Sequence, residues 1–266
     1  MSKGFDKYKF YEASVQDPHF EIEILNEKFK EIRGKKPLSL REDFGGTGWL
    51  ACEWAKQGNK HSSIAIDLDP EPIEYGLKKH YAKLSGSQKK RVKYLQKDVM
   101  KCSNEKADIV CAFNFSFWFF KERKKLLKYF KAVRKSMKSD SIFVFDTKGG
   151  QDALDTHLER REHPGFTYYW ECEEFNPISG EGQFAIHFKP KGQHRIERRV
   201  FTYDWRCWSL PEIKDILAEA GFSESHVYWE GTNDDDDDED DGNGIFTRTE
   251  KTEEELVWIS YVIALP

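Results

Sequence analysis

The chain has 266 residues, of which 33% are charged and 15% aromatic, and its net charge is −5 at neutral pH. Eight Trp, eleven Tyr and twenty Phe can furnish a sizeable core, which excludes a disordered chain and fits one domain, or one domain with an insertion. No run of ~18 apolar residues exists to cross a membrane, and the opening MSKGFDKYKFYEASVQD lacks the apolar stretch of a signal peptide.

In chain order, Asp17-Pro18 opens a helix that carries Ile22, Leu25, Phe29 and Ile32 at helical spacing and ends at Gly34. PLSLRED (37–43) reads as a strand, GWLACEWAKQG (48–58) as a helix and SSIAIDL (62–68) as a strand. Asp69-Pro70 caps a helix with Ile73, Leu77, His80, Tyr81 and Leu84. Two short strands follow, VKYLQKD (92–98) and ADIVCAF (107–113), then a helix over 121–138 and the strand SIFVFDT (141–147). Strands alternating with helices predict a doubly wound, Rossmann-like α/β fold with a mostly parallel, seven-stranded sheet. The alternation stops at 165–206, where aromatic and β-branched residues predict two or three antiparallel strands of an inserted β segment. Ser209 and Glu212 form a capping box for a helix over 209–220. The strands 225–231 and 255–265 form a terminal antiparallel pair. The predicted organisation is an N-terminal lid helix segment (1–36), an α/β domain (37–150 and 207–266), the β-rich insertion (151–206) and an acidic flexible loop (233–244).

Residues 234–241 are all acidic. Without their eight negative charges the net −5 becomes +3, so the body is slightly basic. The strip reads first as a solvated loop, and second as a surface for a basic partner. The basic helix 121–138 has a regular apolar face (Leu127, Phe130, Val133, Met137), so its lysines form the solvated side, and no nucleic-acid partner is expected. Five cysteines without a Cys-x-x-Cys pair predict reduced thiols in a cytoplasm, and eight histidines without a His-x-x-x-His pair predict no metal site.

The strongest local signal is REDFGGTGWLA (41–51), between a strand and a helix. Gly46 and Gly48 allow a tight turn and close approach of a ligand. Asp67 ends the next strand, where a carboxylate accepts hydrogen bonds from ribose hydroxyls. Asp69, not Asp67, is placed to cap the following helix. Gly46-x-Gly48-x-x-Ala51 also matches the dinucleotide fingerprint, which would make the chain an NAD-dependent oxidoreductase. Glu42 and Asp43 argue against it, since carboxylates repel a pyrophosphate. They suit a ligand with an amino group or a cationic sulfur.

These residues resemble the class I S-adenosylmethionine-dependent methyltransferases, whose first motif is an acidic residue followed by Gly-x-Gly-x-Gly. Glu42 takes the acidic place, Gly46 and Gly48 are the second and third glycines, and Phe44 departs from the pattern at the first. The resemblance spans roughly 37–147 and 203–265. It implies S-adenosyl-L-methionine as the cofactor, Asp67 on the ribose, Asp98 on the adenine amino group, and Leu68 and Val99 around the adenine ring. It places Asn114 and Phe115 at the methionine moiety and Tyr11 on the lid. The acceptor is expected to be a small molecule before a protein side chain, with Asp146, Trp170 and Trp205 as candidate contacts. The ring stripe Tyr168, Tyr169, Trp170, Tyr203, Trp205 and Trp208 otherwise reads as packing of the inserted sheet. Tyr8, Tyr11, Asp146 and His187 all remain open as a general base. Besides the oxidoreductase, the other alternative is a non-catalytic binding protein that holds a basic partner on the acidic loop.

Overall fold

The structure is a computed structural model that describes residues 5–102, 104–150, 152–232, 242–252 and 255–266. Two helices come first, α1 (Lys7–Val15) and α2 (Pro18–Arg33). Asp17 caps α2 by accepting from the His19 and Phe20 N–H groups, and Gly34 ends it at φ 66°. The sequence signalled only α2, because α1 buries just Tyr8 and Glu12 and so carries no regular apolar stripe.

The alternating region runs β1 (Ser39–Asp43), α3 (Trp49–Trp54), β2 (Ser62–Asp67), α4 (Pro70–Lys79), α5 (Gly86–Lys89), β3 (Val92–Gln96), β4 (Ile109–Ala112), α6 (Arg123–Ser136) and β5 (Ile142–Gly149). The insertion supplies β6 (Leu158–His163), β7 (Phe166–Asn176), β8 (Glu181–Pro190) and β9 (Glu197–Arg206). The chain then closes with α7 (Leu210–Ala220), β10 (Glu224–Thr232), β11 (Gly242–Arg248) and β12 (Trp258–Leu265).

The main sheet has the order β11-β10-β12-β5-β4-β1-β2-β3. Strands β1 to β5 pair in parallel, and β12 lies antiparallel between β5 and β10. The sheet has eight strands where seven were expected. The extra one is β11, GNGIFTR, which pairs antiparallel with the outer side of β10. Its two glycines and its place beside the acidic strip gave it the composition of a loop. Gly242 to Gly244 therefore belong to a strand, and the acidic strip 234–241 lies outside the described residues.

Both faces of the sheet are covered, and strand periodicity shows how. On β4, Ile109 and Cys111 pack with α2 and α3, while Val110 and Ala112 face α6. On β5 the same split separates Ile142 and Val144 from Phe143 and Phe145. The insertion is a four-stranded antiparallel sheet, β6-β7-β8-β9, rather than two or three strands. The unforeseen β6, LERREH, has no buried residue, and charges are what protect an exposed edge strand. Phe166, Trp170, Phe184 and Trp205 join the same core as β5 and α6, so the insertion packs on the main sheet. No helix among the described residues is long and apolar enough to cross a membrane.

The chain crosses from β3, at one edge, back to β4 beside β1. Helices leave to opposite faces there, and the carboxyl ends of β1 and β4 open a crevice at the point where an open α/β sheet binds ligands.

Candidate active site

The glycine loop leaves β1 at that crevice. Side chains alternate along the strand, so Arg41 and Asp43 face one way and Glu42 the other. Arg41 is fully buried and grips Asp43 at 2.8 and 3.0 Å, with the Tyr129 hydroxyl donating to Asp43 at 3.0 Å. Asp43 is thus a structural anchor, and Glu42 alone faces the crevice. Phe44 adopts φ 58°, the left-handed conformation that glycine favours. This accounts for the departure from the glycine pattern: the backbone geometry is kept and the side chain is changed. A non-glycine residue there stores about 1–3 kcal/mol of strain. Contacts of the Phe44 ring with Phe120 and Tyr129, at 5.9 and 5.5 Å between centroids, hold it in place. Gly46 and Gly48 also have positive φ, and Gly48 lies so close to the Tyr94 ring that a Cβ would fall 2.6 Å from it.

A cavity of about 250 Å³ opens over this loop. Among the sequence-predicted residues, Tyr11, Glu42, Phe44, Gly46, Asp67 and Asn114 line it. Asp67 accepts from Gly46 N–H at 2.8 Å and Asp69 N–H at 2.9 Å, which fixes the carboxylate at the end of β2. Asp69 caps α4 by accepting from Glu71 N–H. Burial raises the Asp67 pKa, against the pull of those backbone donors. Glu42 is 7% exposed, and its Oε2 has no hydrogen-bond partner among the described residues. Burial, then the negative charge of Glu21, pushes the Glu42 carboxyl well above its usual range. A buried, unsatisfied carboxyl oxygen on a cavity wall is suited to a ligand ammonium.

The remaining predicted donor residues sit elsewhere. Gly48 is covered by Tyr94. Leu68, Asp98 and Val99 are not part of the cavity wall: Leu68 is 68% exposed, Val99 is buried, and Asp98 accepts from Met100 N–H.

A second cavity of about 340 Å³ adjoins the first and shares Tyr11, Asn114 and Tyr203 with it. The predicted Phe115, Asp146, Trp170 and Trp205 all line it. The stripe of rings therefore divides. Tyr168 and Tyr203 also face this space, whereas Tyr169 and Trp208 do not. Asp146 accepts from the backbone N–H of Asn114 at 2.8 Å and of Phe115 at 2.9 Å. Both of those residues have positive φ, 58° and 54°. Burial pushes the Asp146 pKa up to about 7 despite these two donors. Nothing in the residue pattern marked Glu21, which reaches this cavity from α2. Burial, and then the charge of Asp146, pushes the Glu21 pKa up to about 8. Its helix also carries Glu23, Glu27 and Glu31, and nothing in the pattern set Glu21 apart.

The other base candidates separate by position. Tyr8 lines the first cavity, with its hydroxyl pKa raised by burial and by Glu71. Burial pushes Tyr11 up to about 12. His187 lies in the inserted sheet, 2.6 Å from Glu171 and accepting from Arg199 N–H, and lines neither cavity.

Helix α1 closes over the first cavity through a buried cluster. Glu12 Oε1 accepts from the Thr47 hydroxyl at 2.9 Å and lies 2.5 Å from His80 Nε2, which joins α1, the glycine loop and the end of α4. The same loop rests directly on α4, where a Cβ built at Gly76 would lie 1.7 Å from the Thr47 carbonyl oxygen. Gly76→Ala is therefore expected to lower stability by about 2 kcal/mol through overpacking. Denaturant unfolding measures this, and an unchanged midpoint would show that α4 can move aside.

No family model and no curated protein matches the chain. Solved structures do. An S-adenosylmethionine-dependent methyltransferase from Clostridium acetobutylicum superposes with a TM-score of 0.69 at 18% identity, covering 97% of both chains. A sugar N-methyltransferase from a Streptoalloteichus species gives 0.65 at 15% identity, covering 100% of this chain and 94% of its own. An amino pentose methyltransferase of calicheamicin biosynthesis from Micromonospora echinaspora, solved with S-adenosylmethionine bound, gives 0.66 at 13% identity, covering 98% of both. The described residues thus have the fold of the S-adenosylmethionine-dependent methyltransferases, the inserted sheet included. None of these likenesses supports a nicotinamide-dependent oxidoreductase or a non-catalytic binding protein.

Proposed function

We propose that the protein is an S-adenosylmethionine-dependent methyltransferase acting on a small molecule. The observation that carries this reading is the pair of cavities meeting at Tyr11, Asn114 and Tyr203, at the switch point of a methyltransferase fold. The donor brings a methyl group already activated on a sulfonium. The protein's task is then to hold two ligands in line, which is catalysis by proximity and orientation.

The residues fit such a donor. Glu42, with its unsatisfied oxygen, takes the α-amino group, and Asp67 takes the ribose hydroxyls. Leu68, Asp98 and Val99 follow the ends of β2 and β3 outside the cavity wall, and they would meet the adenine only where it extends beyond that cavity. The rings of Tyr11 and Phe115 flank the cationic centre. A pyrophosphate beside buried Glu42 brings no donor for its unpartnered oxygen and would repel its carboxylate form, so the dinucleotide alternative is disfavoured on the same geometry. The inserted sheet supplies Trp170, Trp205 and Tyr203 to the second cavity, so acceptor choice belongs to the insertion. A small-molecule acceptor agrees with neighbours described as sugar and amino pentose methyltransferases. Five free cysteines, four of them buried, agree with a reducing cytoplasm.

Calorimetric titration with S-adenosylhomocysteine tests the proposal. Binding near 1 μM, about −8 kcal/mol, is expected. Absence of binding to folded protein, with NADH bound instead, would overturn it.

A further inference from the structure

We propose that the acceptor is a cationic amine, held in the larger cavity by Glu21 and Asp146, with Glu21 taking its proton. This rests on the methyltransferase reading above and adds to it the chemical class of the acceptor and the residue that prepares it.

The argument starts from charge. Five carboxylate side chains line the larger cavity, Asp17, Glu21, Asp146, Glu159 and Glu230, against two cations, Lys148 and Arg161. Both cations are engaged within the wall, with residues other than Glu21 and Asp146. Arg161 reaches Glu159 at 3.4 Å, and Lys148 Nζ lies over the Trp170 ring at 4.9 Å. Asp17 spends its carboxylate on the cap of α2, and Glu230 accepts from Gly244 N–H. Glu21 and Asp146 are left facing the cavity, and the charges acting on Glu21 are those of Asp146 and Asp17, both negative. Two neighbouring carboxyls without a cation are costly unless they share a proton or meet a positive ligand. An ammonium supplies what is missing, and the surrounding rings suit it as well.

Position completes the argument. The charge of Glu21 is felt by Glu42 and by Tyr11, both on the wall of the donor cavity. Glu21 lines the larger cavity together with Tyr11, Asn114 and Tyr203, the residues through which that cavity meets the donor cavity. Asp146 spends one lone pair of each oxygen on the backbone at 114 and 115, so it fixes the wall and contributes charge. Glu21 is the freer of the two, and its affinity for a proton is raised toward neutral pH, where a general base works best.

The step balances as follows. An ammonium R–NH3+ gives one proton to the Glu21 carboxylate. The freed nitrogen lone pair forms the N–CH3 bond as the methyl carbon's bond to sulfur breaks, and that bond's electron pair stays on sulfur. The positive charge passes from sulfur to the methylated nitrogen.

The test is a binding comparison on the full chain. 2-Phenylethylamine is titrated beside 2-phenylethanol, and glucosamine beside glucose, into wild type, Glu21→Gln and Asp146→Asn. At least one amine is expected to bind its site about ten-fold or more tightly than its alcohol, the worth of one charged hydrogen bond. Glu21→Gln is expected to erase that preference while the protein stays folded by circular dichroism. No amine preference in wild type, or a preference untouched by Glu21→Gln, would overturn the proposal. S-adenosylhomocysteine is titrated into the same samples. If it fails to bind, the methyltransferase reading falls, and the amine preference is still read independently.

Discussion

Asp67→Ala is expected to weaken S-adenosylhomocysteine binding by about 100-fold or more, since two charge-assisted hydrogen bonds at 1.5–3 kcal/mol each are lost. The carboxylate does two jobs at once. It accepts from Gly46 N–H and Asp69 N–H, and it presents its remaining lone pairs to the cavity. Alanine removes both, so the glycine loop loses a tie to β2 just where Phe44 and Gly46 sit at positive φ. Asp67→Asn separates the contributions. The amide keeps one acceptor for the loop but offers a ribose one acceptor fewer, so it should fall between wild type and alanine. Calorimetry measures the affinity, and thermal unfolding shows whether the loop is intact. An alanine variant that binds as tightly as wild type would remove Asp67 from the donor site and point to an opposite placement of the ligand.

The architecture was legible because its signals are local. The Asp17-Pro18 and Asp69-Pro70 caps, the Ser209/Glu212 box and the strand alternation each report on a few neighbouring residues. What escaped was non-local or lay under a contrary composition. β6 is a charged edge strand, β11 is short and glycine-rich, and α1 is defined by contacts of Tyr8 and Glu12 rather than by a stripe. The site follows the same rule. Residues at strand ends, such as Asp67, Asn114 and Asp146, could be placed because the ends of parallel strands converge. Glu21 could not, since its place on the cavity wall comes from where α2 lies in the fold and not from its neighbours in sequence. Neither could the division between Glu42 and Asp43, until the direction of β1 fixed which carboxylate met Arg41. Phe44 is the opposite case. It broke the glycine pattern in sequence, yet the backbone has the conformation that the pattern predicts.

Asp146→Asn is expected to destabilise the protein by about 1–3 kcal/mol, the cost of one buried backbone donor left unpaired. Asp146 receives two N–H groups on two oxygens, and an amide offers only one acceptor. Its NH2 group must then confront the N–H of Asn114 or Phe115. These are two consecutive non-glycine residues in the left-handed region, at φ 58° and 54°, and each stores strain that the carboxylate holds in check. The unpinned wall is shared by both cavities through Asn114, so turnover should fall by more than ten-fold even where the fold survives, a loss of over 1.4 kcal/mol in the transition state. A pH series adds a sign. The folded-state pKa of Asp146 is raised from 3.8 to about 7, so between those values the folded protein holds a proton that the unfolded chain has released. Its contribution to stability is therefore full below pH ~4 and lost as pH rises toward ~7. Glu21, raised from 4.5 to about 8, acts in the same direction. Wild-type stability should decline across this window, and Asp146→Asn should decline less steeply. Urea midpoints taken at several pH values measure both quantities. Equal stability of the two proteins, with equal slopes, would mean that Asn114 and Phe115 are held by something other than this carboxylate.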